Sequence, residues 1–508
     1  MKRNISILIL AFILAFSGFI ACNEKLDVLD INNPTTESYF KTALELQNGV
    51  NAIYSTLRSG ALVGREWFFM HDMRSGEAAP GGAQLEAPRA ELIKQPSPAP
   101  SNTVISSVWT GAYQMINRAN LIVAKAPTIT DNTALRDRLV GEAKFLRGWA
   151  YYELVSQWGD VPLYTESVTS SIGFKGKSPA SEIYTFIISD LTDAASKLPV
   201  NYGASDNGRA TKGAAYALLG RVQMQKGDYA AAKTALLQVY GKYSLVDNYQ
   251  WNFDGDIKND DGVTVATGHE FNAESIFEVV FVDRGDNNFN WGYNGEGSTS
   301  PLSTVRNQEY GITWGNVIPS DRFLNEFEPA DPRYTFTIYE EGENILTGVP
   351  TGPLTLTANN MNVGPSIRNG VSKKRFFRKY NIYEYVNSGF HPGGLNSRLI
   401  RYADVLLMLA ECEAEVGTPA QAAAYINEVR RRPSVNMPPV VLASKNQALR
   451  AVMRERHVEL GIEGVANIDI IRWRQKGYFP SIMPDPVPGQ VSFFPIPSIE
   501  TSTNPMIK

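Results

Sequence analysis

The sequence predicts a mainly α-helical protein, a scaffold of tetratricopeptide-like helical pairs carrying a large loop-rich subdomain with short strands. Two separate windows place small and apolar residues at the same helix–turn–helix offsets. Several further segments repeat apolar residues at the 3.6-residue helical period. The stretch from about 244 to 395 is instead rich in Gly, Asn and Asp, with aromatic residues between them. Together these observations favour helices for most of the chain and irregular structure for its middle.

The first helical pair covers Leu218 to Tyr240. Gly220 is small enough to let two helices cross closely, and Leu236 can fill the space between neighbouring pairs. Gly227-Asp228 supplies the tight turn between the helices, and Ala232 again permits a close approach. This segment therefore predicts two short helices packed against each other.

The second pair lies in "MLAECEAEVGTPAQAAAYINEVR" and repeats the same register, with Leu409, Ala410, Gly417, Ala422 and Ile426 at the equivalent positions. Thr418-Pro419 begins its second helix, because proline is tolerated in the first helical turn. The two pairs lie far apart in the chain, so a simple tandem array is not predicted.

Other helices are predicted from apolar spacing over 38–60, 108–126, 142–164, 181–199 and 446–464. The segment 274–282, "ESIFEVVFV", is predicted to be a strand. Two long stretches, 60–103 and 244–395, are predicted to be irregular, and loops of such length are usually functional or disordered.

The N-terminal segment predicts export and lipid attachment. A basic start, Met1-Lys2-Arg3, precedes an apolar run from Ile5 to Ile20 that is shorter than a membrane-spanning helix requires. Ile20-Ala21-Cys22 then resembles the lipobox of bacterial lipoproteins, in which the chain is cut before the cysteine and the new N-terminus is acylated. The alternative is an ordinary signal peptide with an incidental cysteine. We expect Cys22 to be the lipid attachment point.

The predicted location follows from this anchor. The acidic residues that follow Cys22 resemble export signals of surface lipoproteins in the Bacteroidetes. Two or three acyl chains anchor a protein stably where one chain would be marginal. We therefore expect an outer-membrane lipoprotein that faces the cell exterior.

The predicted domain organisation has four parts: a removed signal peptide over 1–21, an N-terminal helical region over 22–243, a loop-rich subdomain over 244–395 and a C-terminal helical region over 396–508.

Composition argues against nucleic acid as a partner, and the position of the second cysteine indicates its role. The formal net charge is −4 and no basic block accumulates, so the sequence has no electrostatic footprint for nucleic acid. The only other cysteine is Cys412, within the apolar stretch "ADVLLMLAECEAEVG". We interpret it as a small core residue.

Several separated motifs together resemble the SusD/RagB family of outer-membrane nutrient-binding lipoproteins. They are "SVWTGAYQMINRANLIV", "GEAKFLRGWAYYELVSQWGDVPL", "GRATKGAAYALLGRVQMQKGDYAAA", "ESIFEVVF", "LIRYADVLLMLAECEAE", "MRERHVELGIEG" and "FFPIPSIETSTNP". One departure is "VANIDIIRWRQKG", which keeps Asp469 and Arg472-Trp473 but lacks the aromatic residue that the family usually places before them.

The resemblance implies a helical, tetratricopeptide-like protein that docks on a SusC-type TonB-dependent outer-membrane transporter and captures glycans or peptides. It implies binding without catalysis. Three alternatives stay open: a peptide cargo with the same fold and partner, a transporter-associated scaffold that binds no nutrient, and an enzyme.

The residue chemistry agrees with a protein that is not an enzyme. The four histidines, His71, His269, His391 and His457, have no zinc-binding spacing, and no nucleophile elbow or phosphate-binding glycine loop is present. His457 lies on an apolar helical face and is interpreted as a satisfied core residue. The two carboxylates of a glycoside hydrolase can come from distant parts of a chain, so the enzyme alternative stays open.

We expect no cofactor. The segment 254–262, "DGDIKNDDG", has a calcium-like composition. Set against Gly262, however, the first ligand position of an EF-hand loop falls on Ile257. A solvated acidic turn is the preferred interpretation, and a structural calcium ion of irregular geometry is the alternative.

Aromatic residues in irregular segments are the candidates for ligand binding. Sugar rings present apolar faces on which aromatic rings stack, while amides and charged groups bond the hydroxyls. The family's ligand contacts come from loops in these regions. The candidate ligand-binding residues are Trp291, Tyr293, Trp314, Tyr310, Asn316 and Trp67. Aromatic residues in the periodic helix over 142–164 are interpreted as core or transporter-docking residues.

Overall fold

The computed structural model describes residues 39–168, 170–258, 264–282, 303–312, 314–345, 354–381 and 393–507, and it confirms the predicted fold class. In this part of the chain, no helix is both long and apolar enough to cross a membrane. The predicted signal peptide and Cys22 lie outside the described residues.

The N-terminal half begins with helices that pack on their neighbours in sequence. Their bounds are α1 Ala43–Arg58, α2 Glu66–Arg74, α3 Ala87–Lys94, α4 Thr103–Lys125, α5 Thr133–Trp158, α6 Ala180–Lys197, α7 Lys212–Lys226 and α8 Tyr229–Leu237. Four aromatic residues of the predicted helix over 142–164 lie in α5 and are buried, namely Trp149, Tyr151, Tyr152 and Trp158. Of the two roles predicted for them, core packing and transporter docking, this burial fits core packing.

The first predicted helical pair is α7 and α8. Gly227 ends α7 with a left-handed backbone (φ +91°), and the Asp228 side chain accepts a hydrogen bond from the first turn of α8. A Cβ on Gly220 would lie 2.5 Å from the Leu236 side chain. Gly220 therefore sets the close crossing of the two helices, as predicted.

The C-terminal half repeats this arrangement. Three short helices of the loop-rich region precede it in the described chain, α9 Arg306–Tyr310, α10 Asp321–Leu324 and α11 Arg333–Thr337. The helices of the C-terminal half are α12 Tyr402–Val416, α13 Pro419–Arg430, α14 Lys445–Leu460, α15 Ala466–Gln475 and α16 Ser498–Thr503. Thr418 caps α13, with Pro419 at its first position, as predicted. Cys412 is fully buried in α12, which confirms its interpretation as a core residue.

The stretch 60–103 is not irregular, which corrects the prediction. It contains α2, α3 and the short strand β1 Ala78–Pro80. Every residue of α2 is buried, so its sequence lacks the one-sided apolar period by which a surface helix is recognised. A helix packed on all sides cannot be detected from that period.

In its described residues, the loop-rich region carries small antiparallel sheets and the short helices α9, α10 and α11. The strands that follow β1 in the described ranges are β2 Val161–Pro162, β3 Lys177–Ser178, β4 Ile257–Lys258, β5 Thr264–Ala266, β6 Ser275–Val279, β7 Val317–Pro319, β8 Ile338–Glu340, β9 Asn344–Ile345, β10 Leu354–Thr355, β11 Pro365–Arg368, β12 Val371–Phe377 and β13 Ser397–Arg401. The sheet β11-β12-β8 has three strands, and β1 pairs with β7.

The predicted strand over 274–282 is β6, which pairs with β13 in an antiparallel register that aligns Ser397 with Val279. The strand β13 continues directly into α12, and Tyr402 N–H donates to the Glu274 carbonyl. The loop-rich region is thus joined by main-chain hydrogen bonds to the C-terminal helices.

A network of buried ion pairs centres on Glu459, in the last turn of α14. Its carboxylate lies 2.7 Å from Arg401, 2.7 Å from Arg432 and 3.0 Å from Arg333. Glu274, just before β6, lies 2.6 Å from both Arg401 and Arg432. All five side chains are at most 1% exposed. The network therefore ties five separate parts of the chain together in the protein interior.

The arginines keep these carboxylates ionised. Burial opposes ionisation of Glu459, but Arg432, Arg401 and Arg333 hold its pKa well below the usual range. Burial also opposes ionisation of Glu274, whose pKa Arg432 and Arg401 lower to about 2. Because each charge is compensated only by its partners in the interior, the loss of one partner leaves the others unpaired.

We expect Arg401→Met to lower the free energy of unfolding by about 3–5 kcal/mol, because it strands buried carboxylates. The control is Lys445→Met, which removes an ion pair to Glu415 from a lysine side chain that is 51% exposed. That variant should lose only about 0–1 kcal/mol. Urea unfolding measures both, and equal losses would contradict a structural role for the network.

Candidate ligand-binding surface

Trp314 lies in the short connection between α9 and β7 and is half-buried, so part of its side chain reaches solvent. The connection is a tight turn, in which Gly315 N–H donates to the Gly311 carbonyl at 3.0 Å. Gly315 itself has a left-handed backbone with φ +57°. A residue with a side chain rarely adopts that conformation, so the glycine fixes the turn that presents Trp314.

Three backbone segments meet beside Trp314. Strand β1 pairs with β7, and beyond it Gly81 N–H donates to the Asn316 carbonyl at 2.9 Å. Gly364 N–H donates to the Gly81 carbonyl at 2.8 Å. The Gln84 side chain donates to the Gly315 carbonyl at 3.0 Å. The turn at Trp314 is therefore held by main-chain and amide hydrogen bonds from the segment of Gly81 and Gln84, which is itself bonded to Gly364.

Glycines allow this close approach. A Cβ on Gly81 would lie 1.8 Å from the carbonyl oxygen of Gly315, and one on Gly315 would lie 2.5 Å from Val363 and 2.6 Å from Phe376. Contacts of that length do not occur between real side chains and backbone, so any larger residue would separate the segments. Paired glycines in the sequence mark such approaches.

A buried charged cluster supports the surface from below. Arg65 Nε donates to Glu309 Oε1 at 2.8 Å, and the Asn316 amide donates to the other carboxylate oxygen of Glu309 at 2.5 Å. Arg65 also pairs with Glu86, whose side chain is 45% exposed. Burial raises the pKa of the adjacent Glu66, and Arg89 opposes that shift. These contacts fix the floor beneath the turn that carries Trp314.

The segments that meet beside Trp314 also carry exposed polar side chains, namely Gln84, Glu86 and Asn362. These three residues were not predicted from the sequence, because none of them is aromatic and both 84–86 and Asn362 lie far from Trp314 in the chain. The Gly81-Gly82 pair was the available signal, since it indicates a close backbone approach at this place.

Three of the predicted ligand-binding residues are buried, which does not fit the expectation that they contact a ligand. Trp67 is 4% exposed and packs against Gly464 and the His71 ring, 4.7 Å away between centroids. Tyr310 is 1% exposed and donates its hydroxyl to Asp72 at 3.1 Å. Asn316 is 7% exposed and holds Glu309. These side chains shape the support of the surface rather than the surface itself.

Tyr310 belongs to a second buried charged group. Burial raises the pKa of Asp72 to about 6, opposed by Arg306, which lies 2.9 Å from its carboxylate. The aromatic composition of the segments around Tyr310 and Trp67 gave the sequence signal. The all-round burial of α2 and α9 explains why that signal did not indicate exposure.

Trp291 and Tyr293 lie outside the described residues, as do Asp260 and Asp261 of the segment 254–262. In the described ranges, no group of three or more His, Cys, Asp or Glu side chains is arranged to hold a metal ion. His457 is buried as predicted, and its Nδ1 lies 3.2 Å from Glu77 Oε1. Its Nε2 has no hydrogen-bond partner within the described part of the chain, so only one of the two ring nitrogens has a partner there.

Two family models match separate parts of the chain. The model described as "SusD family" matches residues 273–506, and the model described as "Starch-binding associating with outer membrane" matches residues 83–224. Among sequence relatives, SusD-like protein P2 of Formosa agariphila is 24% identical over 479 residues. The match covers 91% of this chain and 90% of that relative.

Solved structures share the fold. A laminarin binding SusD-like protein superposes with a TM-score of 0.71 at 24% identity, covering 92% of this chain and 99% of that one. Surface glycan-binding protein A from Bacteroides thetaiotaomicron, solved in complex with laminarihexaose, superposes with a TM-score of 0.70 at 20% identity. That match covers 91% of this chain and 98% of that one. At these identities the comparison establishes the fold.

Gly81→Ala should separate β1 from the Trp314 turn, because the new Cβ collides with the backbone of Gly315. We expect a loss of about 1–3 kcal/mol in the free energy of unfolding, measured in urea. The control is Gly82→Ala, whose Cβ would meet only the flexible end of the Gln84 side chain. It should stay within about 0.5 kcal/mol of the wild type. A Gly81→Ala protein as stable as this control would contradict the close approach.

Proposed function

The chain belongs to the SusD family, and we propose that it binds glycan at the cell surface and passes it to a SusC-type TonB-dependent transporter. The family model that matches 83–224 is described as starch-binding and associated with the outer membrane. Two proteins of the same fold bind laminarin or laminarihexaose. In this proposal the chain captures oligosaccharide or polysaccharide and does not cleave it.

The observation that carries the proposal is Trp314, half-buried at the junction of three hydrogen-bonded segments. A sugar ring presents an apolar face of C–H groups, and a flat indole removes that face from water when the two stack. An indole on a turn that hydrogen bonds already hold loses less freedom when a ligand arrives, so more of the contact energy appears as affinity.

The polar groups around Trp314 suit the hydroxyls of a glycan. Gln84 and Asn362 supply amide donors and acceptors, and Glu86 supplies carboxylate oxygens. A few polar groups beside an aromatic surface are the usual composition of a site that orients a neutral, hydroxyl-rich ligand. Trp291 and Tyr293 complete the proposed set of ligand contacts from the segment that precedes α9.

Delivery to the transporter needs the protein at the membrane surface. Cys22 provides that position in the proposal, as an acylated N-terminus in the outer membrane. The helical scaffold is the part of the chain that docks on the transporter, and the Trp314 surface lies on the loop-rich region that the scaffold supports. Binding and docking are therefore separable by mutation.

Trp314→Ala should weaken glycan binding by about tenfold or more, because the stacking surface is lost. Binding is measured by affinity electrophoresis and calorimetry against laminarin, starch and a panel of other polysaccharides. The matched control is Trp251→Ala. Trp251 is also half-buried, but its ring stacks on the His269 ring, with 4.4 Å between the ring centroids, away from the Trp314 surface.

The control variant should bind glycan like the wild type, and both variants should lose similar free energy of unfolding. Equal binding by the wild type and the Trp314→Ala variant would contradict the assignment of this surface. A folded wild-type protein that binds no member of the panel would contradict the glycan proposal and favour the peptide or scaffold alternatives.

The full-length chain should co-purify with a large outer-membrane transporter when it is isolated from solubilised membranes of its host. Cys22→Ala should move the chain out of the membrane fraction, because the acylation site is gone. Trp314→Ala should retain the transporter, since docking uses the helical scaffold. Recovery of the wild-type chain from membranes without any transporter would contradict the proposed partner.

A further inference from the structure

A cleft of about 820 Å³ lies between the start of α7, the segment after α8 and the start of β6. Its wall includes residues from 200–216, 238–244 and 271–278. The cleft shares no lining residue with the surface around Trp314. Its volume is in the range of sites that hold small molecules or several sugar units.

Five aromatic residues contribute to the wall of this cleft, namely Tyr202, Tyr216, Tyr243, Phe271 and the buried Phe277. Phe271 is 36% exposed, although it is a large apolar side chain. Its backbone is left-handed with φ +53°, a conformation that is an outlier for a bulky residue. The main chain is held there by a hydrogen bond from Phe271 N–H to Glu278 Oε1 at 3.0 Å. Strain of this kind concentrates at functional sites.

Packing and a hydrogen bond hold two of the tyrosine rings of this wall in place. Tyr243 lies directly over Gly213, where a Cβ would come within 2.3 Å of the tyrosine hydroxyl. Tyr202 donates its hydroxyl to the Ala210 carbonyl at 3.1 Å, which fixes its ring beside the start of α7. The Tyr216 hydroxyl has no hydrogen-bond partner among the described residues. The cleft thus combines fixed rings with a polar group that is available to a ligand.

The charged side chains of the wall that form no ion pair in the described ranges are lysines. Arg209 pairs with Glu142 at 2.9 Å and with Asp206 at 2.7 Å. Glu278 pairs with Arg398 at 2.9 Å. Lys212 and Lys242 also line the cleft, and neither forms an ion pair within the described ranges. The remaining field in the cleft therefore favours an anion.

We propose that this cleft is a second glycan-binding site, separate from the Trp314 surface, and that it takes oligosaccharides with carboxylate or sulfate groups. The rings of Tyr216, Tyr243 and Phe271 stack on sugar faces. Lys212 and Lys242 pair with the acidic substituents. Exposed amides of Asn201 and Asn207 bond the hydroxyls.

The test measures binding of the mature protein to oligogalacturonates, which carry carboxylates, and to heparin-derived oligosaccharides, which carry sulfates. Each probe is compared with its carboxyl-reduced or desulfated counterpart. We expect at least one anionic probe to bind about tenfold or more tightly than its neutral counterpart. The probe that binds distinguishes a carboxylate from a sulfate preference.

The double variant Lys212→Ala/Lys242→Ala should weaken binding of that probe by about tenfold. The control variant Lys94→Ala/Lys226→Ala removes two exposed lysines from elsewhere and leaves the same net charge, so it should bind like the wild type. Trp314→Ala should also bind the anionic probe like the wild type. Because all these lysines reach solvent, none of the variants is expected to unfold.

Failure of every anionic probe to bind overturns the proposal, as does equal binding of the neutral counterparts. An anionic probe whose binding is lost in Trp314→Ala but kept in the double lysine variant also overturns it, because that ligand occupies the first surface. The two sites therefore fail independently: Trp314→Ala reports on one, and the lysine pair reports on the other.

Discussion

The buried carboxylate of Glu459 is the contact on which the rest of the fold depends. It pairs with arginines from α11, from β13 and from the segment after α13. Charges buried to this degree are tolerable only when each finds its partners. The loop-rich region and the C-terminal helices must therefore come together in one arrangement. Lys379, which pairs with Glu463 at 3.0 Å, extends the same constraint into the segment after β12.

A smaller buried ion pair also fixes how the segments of the candidate ligand-binding surface come together. The buried pair of Arg65 and Glu309 holds Asn316, and the glycines above it let three backbone segments approach closely. The turn that carries Trp314 is attached to this support through Asn316. The main chain of this turn is held by hydrogen bonds that do not involve a ligand, which is the condition for a preorganised stacking surface. In the second cleft a glycine likewise allows a close approach, since Gly213 lies beneath the ring of Tyr243.

The parts of the fold that sequence could predict are those whose signal is local. The helical pairs follow from the spacing of Gly220, Ala232 and Leu236, and β6 follows from its own apolar run. The ion-pair network could not be predicted, because Glu274, Arg401 and Glu459 lie far apart in the chain. For the candidate site, Trp314 was predicted from its aromatic character, whereas Gln84 and Asn362 join it only through folding. Trp67 and Tyr310 have the same composition signal but are buried.

In the proposed function, glycan contacts the surface formed by the segments around Trp314. Hydrogen–deuterium exchange of the mature protein, with and without the best-binding neutral glycan of the panel, locates that contact. We expect the ligand to slow exchange in peptides covering 78–86, 311–316 and 360–364 and to leave the helical pairs unchanged. Slower exchange confined to the helical pairs or to 200–216, with none around Trp314, would contradict it.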